Sequence, residues 1–141
     1  MAQTRRSFLN SALALLLAGG AGRAWPNSPS PLDLAISLEA GGRQPAASGE
    51  VTLTAPDIAE DGALVPVTVE STLPGVEAVW IFVEKNPTPL AARFHLDHAL
   101  DAFVSLRVKM NESCELIALV KSGDEYFIAS KPVRVLAGGC G

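Results

Sequence analysis

The chain has 141 residues, 48% of them hydrophobic, and carries 11 basic against 15 acidic side chains for a formal net charge of −4 at pH 7. That length allows one domain with a core of its own, and the acidic balance argues against nucleic acid or an anionic membrane surface as a partner. No Ser-His-Asp set, phosphate-binding loop or paired-carboxylate pattern stands out in it.

At the start, Thr4, Arg5, Arg6, Ser7, Phe8 and Leu9 form a twin-arginine sequence, followed by an apolar run over 12–18 and small residues up to Ala24. The run is too short for a bilayer-spanning helix of about 20 residues. Residues 1–24 therefore read as a twin-arginine signal peptide, cut after Ala24 in the small-x-small site Gly22-Arg23-Ala24, which places the mature protein in the periplasm. Export removes Arg5, Arg6 and Arg23, leaving 11 less 3, or 8, basic residues against 15 acidic, a net of −7. The twin-arginine route carries proteins already folded, in some cases with a partner bound. The expected organisation is a signal peptide (1–24), one domain (25–136) and a terminal arm (137–141).

Residues 25–30, rich in Pro and Ser, read as a leader. Ser30 then has the character of an N-cap, with Pro31 at the first helical position and Asp33 completing a capping box. A short helix is predicted, with Leu32, Ala35, Ile36 and Leu38 as its apolar stripe and Gly41-Gly42 ending it. Its expected role is to cover one end of a β-structure.

Beyond Gly49 the period falls to two. Val51 and Leu53 alternate with threonines, Val65, Val67 and Val69 with Pro66, Thr68 and Glu70, and Val104, Leu106 and Val108 with Ser105, Arg107 and Lys109. These are half-buried strands. Residues 79–83, with Trp80 and Phe82 on one face, and 116–120 are continuous apolar runs suited to strands covered on both sides; 126–129 and 133–136 read as two more. Glu60-Asp61-Gly62, Leu73-Pro74-Gly75, Asn86-Pro87-Thr88-Pro89 and Ser122-Gly123-Asp124 supply the turns. About seven short strands so punctuated predict an all-β, immunoglobulin-like antiparallel sandwich. Trp80 is expected in the core.

His95 and His98 flank Asp97 in what reads as a connection, too small a set to define a metal site; no metal is expected. Asn111-Glu112-Ser113 matches a glycosylation acceptor, which the bacterial signal discounts. Cys114 is expected to open a strand and to be partly or wholly buried, behaving as a small apolar residue. A bridge from Cys114 to Cys140 is the competing reading, worth about 3 to 4 kcal/mol in the chain-entropy model.

The chain ends Ala137, Gly138, Gly139, Cys140, Gly141. Such a thiol has almost no neighbours to bury it, and the segment from Ala137 spans at most roughly 17 Å when extended. Gly138, Gly139 and Gly141 supply slack and clearance, so the sulfur can enter another protein's pocket. A floppy tail that happens to contain Cys is the bland alternative. With a terminal carboxylate beside it and no Lys, Arg or His within five residues, Cys140 should sit no lower than the ordinary thiol value of about 8.5. Its activation must come from a partner.

Three stretches then carry a resemblance: Ala55-Pro56-Asp57-Ile58-Ala59-Glu60-Asp61-Gly62 with Val65-Pro66-Val67, the segment Asn86-Pro87-Thr88-Pro89-Leu90-Ala91-Ala92-Arg93-Phe94, and Gly138-Gly139-Cys140-Gly141. In this order they resemble the SoxY family, the sulfur-carrier subunits of the periplasmic thiosulfate-oxidising system. The resemblance implies an immunoglobulin-like sandwich paired with a SoxZ β-sandwich subunit, and a carrier that is not itself an enzyme. It also implies sulfur intermediates, the only prosthetic cargo, held covalently on Cys140. A haem enzyme, a sulfate-releasing hydrolase and a sulfur dehydrogenase would be the transient clients. The family ends Gly-Gly-Cys-Gly-Gly, and this chain lacks the last glycine. The alternative is a secreted immunoglobulin-like assembly module whose terminal cysteine forms a structural or intermolecular disulfide. For the SoxZ face, residues 79–83 are one candidate, and a central strand covered by the domain's own sheets and helix is the competing reading of the same run.

Overall fold

The computed structural model describes residues 27–138. The signal-peptide reading (1–24), together with Gly139, Cys140 and Gly141, falls outside the described residues.

The helix forms where its caps dictate. α1 (Pro31–Glu39) starts at Ser30, whose hydroxyl accepts from the Asp33 backbone N–H while the Asp33 carboxylate accepts from the Ser30 backbone N–H. It stops before Gly41 and Gly42, which take the positive φ of 61° and 78° that other residues avoid. Leu32, Ala35 and Ile36 form its packed stripe, whereas Leu38 is 79% exposed and lies off it. The reason is angular: Leu38 falls two residues past Ile36, on the opposite side of the helix.

Nine strands follow: β1 (Ala46–Ala47), β2 (Val51–Thr54), β3 (Ile58–Ala59), β4 (Val65–Ser71), β5 (Val76–Val83), β6 (Leu90–His95), β7 (Ala102–Val108), β8 (Cys114–Ser122) and β9 (Glu125–Val135). The long strands pair antiparallel, in one sheet ordered β1-β9-β8-β5-β6 with β3 also on β9, and in a second ordered β2-β4-β7. β1 and β3 are two-residue parallel additions to β9. The core lies between the sheets, where Val65, Val67 and Val69 of β4 meet Val79, Ile81 and Val83 of β5 and Leu116, Ala118 and Val120 of β8. The immunoglobulin-like sandwich expected from the strand pattern is therefore the fold, with seven strands of four residues or more.

Two strand assignments change. Residues 126–129 and 133–136 are one continuous strand, β9, running through Pro132. The Arg134 N–H points to the Asp57 carbonyl on the β3 side. By alternation the Pro132 nitrogen faces that same side, in the gap between β1 and β3, where no ladder hydrogen bond is lost. The second change is β6, which occupies residues read as a connection; His95 closes this strand and His98 lies in the turn beyond it.

The helix covers a sheet face and not an end of the sandwich. Trp80, Phe82, Ile117 and Leu119 project from the outer face of the large sheet into a second cluster with Leu32, Ala35, Ile36 and Ala40. Residues 79–83 are each 5% exposed or less, because the small sheet covers one side and α1 the other. The covered central strand is therefore the reading that holds, and the candidate partner face at 79–83 is excluded by its burial. Among the described residues no helix is long and apolar enough to cross a membrane.

Candidate functional site

Cys140 lies outside the described residues, so the site is defined by its root. Contacts with β3, Ser113, Gly62 and Asn111 hold that root at one pole of the sandwich. β3 lies parallel beside the end of β9, with Arg134 N–H donating to Asp57 O (2.9 Å) and Leu136 N–H to Ala59 O (3.0 Å). On the other side of β9 the Ser113 hydroxyl accepts from the Val135 N–H at 2.8 Å and reaches the Val135 carbonyl at 3.3 Å. Beyond the strand, Gly62 donates its N–H to Ala137 O (2.8 Å), and the Gly62 carbonyl accepts from Met110 N–H (2.6 Å). Gly138 crosses the Asn111 carbonyl so closely that a Cβ placed on it would come under 3.0 Å of that oxygen. Asn111 is itself fixed, its N–H donating to the Asn86 side-chain carbonyl while the Asn86 amide donates to Lys109 O.

The arrangement shortens the tether. Ala137 is hydrogen-bonded, so the span that begins at Ala137 is not all free. Covalent geometry holds the Cys140 Cα within about 7.6 Å of the Gly138 Cα, two steps of 3.8 Å. Gly138 and Ala137 are positioned by Gly62, Asn111 and Ser113; the sequence signals at these residues, a turn and resemblance motif ending at Gly62 and a glycosylation-type match at Asn111-Glu112-Ser113, do not point to this role.

Cys114 behaves differently from a reactive thiol. It is the first residue of β8, opposite Val133, half-buried and unbridged, and it packs on the main core. Burial pushes its thiol pKa up, against the opposing pull of the Lys85 backbone N–H, and the Glu84 carboxylate adds to the rise. A thiol so held is protonated at neutral pH and a poor nucleophile. The expectation of a buried, apolar-like cysteine opening a strand matches this placement.

A hollow of about 770 Å³ is at the opposite pole, bordered by Glu50, Glu70, His98, Asp101 and Phe103. It has no connection to the arm root. Among the described residues no group of three or more His, Cys, Asp or Glu side chains is close enough to hold a metal ion.

An immunoglobulin-like sandwich whose C-terminal strand leaves at one pole, and is held there as far as Gly138, is the class of protein the fold defines. The comparisons specify the class further. Residues 38–140 match the family described as sulfur oxidation protein SoxY, and the chain belongs to that family. A solved structure of the sulfur carrier protein SoxY from Chlorobium limicola f thiosulfatophilum is 36% identical, with a TM-score of 0.67 over 74% of this chain and 96% of that one. A superoxide reductase (neelaredoxin) from Ignicoccus hospitalis shares the fold alone, at 16% identity and TM-score 0.51 over 60% of this chain and 79% of its own. No curated protein matches the chain in sequence.

Proposed function

We propose that this protein is a sulfur carrier that holds thiosulfate-derived intermediates covalently on Cys140 and presents them to enzymes, without catalysing a reaction of its own. The observation that carries the reading is that the family match extends through Cys140, two residues past the point where the backbone is pinned over Asn111. The other cysteine is packed on the core with its thiol pKa raised.

The chemistry closes at that sulfur. In loading, the thiol of Cys140 and a thiosulfate dianion form an S–S bond, releasing one proton to solvent and two electrons to the haem of the loading enzyme. In hydrolysis, water cleaves the terminal sulfone as sulfate and two protons, leaving a persulfide anion on the carrier. The outer persulfide sulfur is then passed on, or a sulfur dehydrogenase takes six electrons from it while three waters supply oxygen and six protons leave to solvent, giving an S-sulfonate that a further hydrolysis releases as sulfate. Tethering keeps each intermediate at high effective concentration near the next enzyme and away from stray thiols. The protein needs no cofactor beyond the bound sulfur.

Three further features belong to the same reading. The Thr4-Arg5-Arg6-Ser7-Phe8-Leu9 sequence directs export to the periplasm, where this chemistry takes place. A SoxZ-like β-sandwich is the stable partner, and the enzymes are transient ones. Gly139 and Gly141 give the cysteine the narrow backbone that a deep pocket admits.

Intact-mass spectrometry after incubation with thiosulfate and periplasmic extract of the source cells tests this. The expected result is a thiosulfonate or persulfide adduct on the peptide containing Cys140, absent from Cys140→Ser, with the variant's melting temperature unchanged. A disulfide mass in place of adducts favours the structural cross-link, and turnover by the isolated chain favours an enzyme.

A further inference from the structure

Of the seven large apolar side chains most exposed among the described residues, three lie at the root of the arm: Ile58 at 53%, Leu64 at 63% and Leu136 at 61%. The remainder lie on α1 or near the opposite pole. On the β3–β9 pair, Ala59 turns inward and is buried, so Ile58 and Leu136 share the outward face. Leu64 follows two residues after Gly62, the residue that holds Ala137. Exposed apolar residues scattered singly need no explanation, but Ile58 and Leu136 on one face of the arm root, with Leu64 two residues from the Gly62 that holds it, do.

The shortness of the tether supplies the explanation. With the Cys140 Cα within about 7.6 Å of the Gly138 Cα and its sulfur about 3 Å further, the cargo travels no more than about 10 Å from the pinned backbone. An enzyme that surrounds this sulfur with its own wall must bring that wall down onto the residues around Gly138. We propose that Ile58, Leu64 and Leu136 form a docking collar for the client enzymes that act on Cys140, matched by an apolar rim around the mouth of each client's pocket. Glu60 and Asp61, exposed between Ile58 and Gly62, fringe the collar and suit basic residues at the edge of that rim. The collar rests on the carrier reading: it is the surface every client shares, which lets several enzymes in turn recognise one short arm.

The test couples collar to tether length. Ile58→Glu with Leu136→Glu is made in the full chain, once with the native arm and once with three glycines inserted between Gly138 and Gly139. Each protein is incubated with thiosulfate and periplasmic extract, the haem enzyme in the extract acting as oxidant, and loading of Cys140 is followed by intact mass. Melting temperature and alkylation of Cys140 by iodoacetamide are checked to be unchanged. With the native arm the double variant should load at least about tenfold more slowly, the effect of roughly 1.4 kcal/mol of lost contact. With the lengthened arm the loss should shrink to about threefold or less, because a longer flexible tether lets the sulfur enter without the collar touching. Loading at the unsubstituted rate, or an equal loss at both arm lengths, overturns the collar and leaves the carrier reading intact. Absence of any adduct on the unsubstituted protein overturns the carrier reading, and the collar with it.

Discussion

Gly138 is required for a reason other than flexibility. Its Cα passes over the Asn111 carbonyl with no room for a methyl group, and Asn111 cannot retreat because Asn86 holds its N–H. Gly138→Ala should therefore lift the segment and break the Gly62 N–H to Ala137 carbonyl bond, while the sandwich stays folded. Hydrogen exchange at the Gly62 amide should accelerate by about tenfold or more, as local opening becomes easier by on the order of 1.4 kcal/mol; an unchanged rate would show that the root does not depend on this contact. The two cysteines should separate just as clearly. Cys114→Ala removes a half-buried sulfur from the core edge and should cost about 1 kcal/mol in a denaturant melt, yet leave adduct formation on Cys140 untouched.

At the scale of elements, α1 depends on its cap more than on burial. None of its residues is fully buried, yet it covers Trp80, Phe82 and Leu119, and the Ser30 hydroxyl bond is the leading reason the Asp33 carboxyl titrates below its ordinary value. Ser30→Ala should weaken the helix by about 1 kcal/mol, read as increased acrylamide quenching of Trp80 in a Trp25→Phe background. Quenching unchanged from the parent would mean that packing, not capping, holds α1 down. The cap was legible because its signature is local: a serine, a proline and an aspartate at fixed spacing. Inward-facing valines were legible for the same reason, since a period of two needs no knowledge of the partner strand. β6 was not, although Ala92 and Phe94 do pack on the main core in alternation with Ala91, Arg93 and His95; two alanines, the preceding Pro87 and Pro89, and a bulge that turns Leu90 to the α1 side disguised it as loop. Pro132 misled in the opposite direction, because whether a proline ends a strand depends on what lies beside it, and β3 comes from some 70 residues earlier. The arm root was hidden by the same non-locality: Gly62, Asn111 and Ala137 converge only through the sandwich.

For the whole molecule, the acidic side chains set a pH limit, and the arm root should meet it first. Asp57 is held below its ordinary value by the Lys131 ammonium, bonded at 2.8 Å, and Glu77 likewise by Lys121 at 2.7 Å. Asp33 is lowered by its cap. A carboxylate whose folded pKa is depressed contributes stability that is complete above its unfolded value and is lost as pH falls through the folded one. Stability should therefore decline below about pH 4 and keep falling toward about pH 3. Lys121 has the opposite sign: its raised value contributes stability below the ordinary lysine range, lost only as pH rises through the folded value. These pairs are exposed enough that salt will weaken them. Their positions differ in consequence. Glu77–Lys121 joins two central strands, β5 and β8, that the core already holds, whereas Asp57–Lys131 ties the segment entering β3 to β9, where β3 is only two residues long. Protonating Asp57 should thus release β3 before the sandwich unfolds, with the protection factors of the Arg134 and Leu136 amides, bonded to Asp57 and Ala59, falling below about pH 4 while core amides stay protected. Asp57→Asn should bring the same loss of protection to neutral pH. If both amides instead opened together with the core at every pH, the β3 clamp would not be a separate unit, and the collar it carries would be as rigid as the sandwich itself.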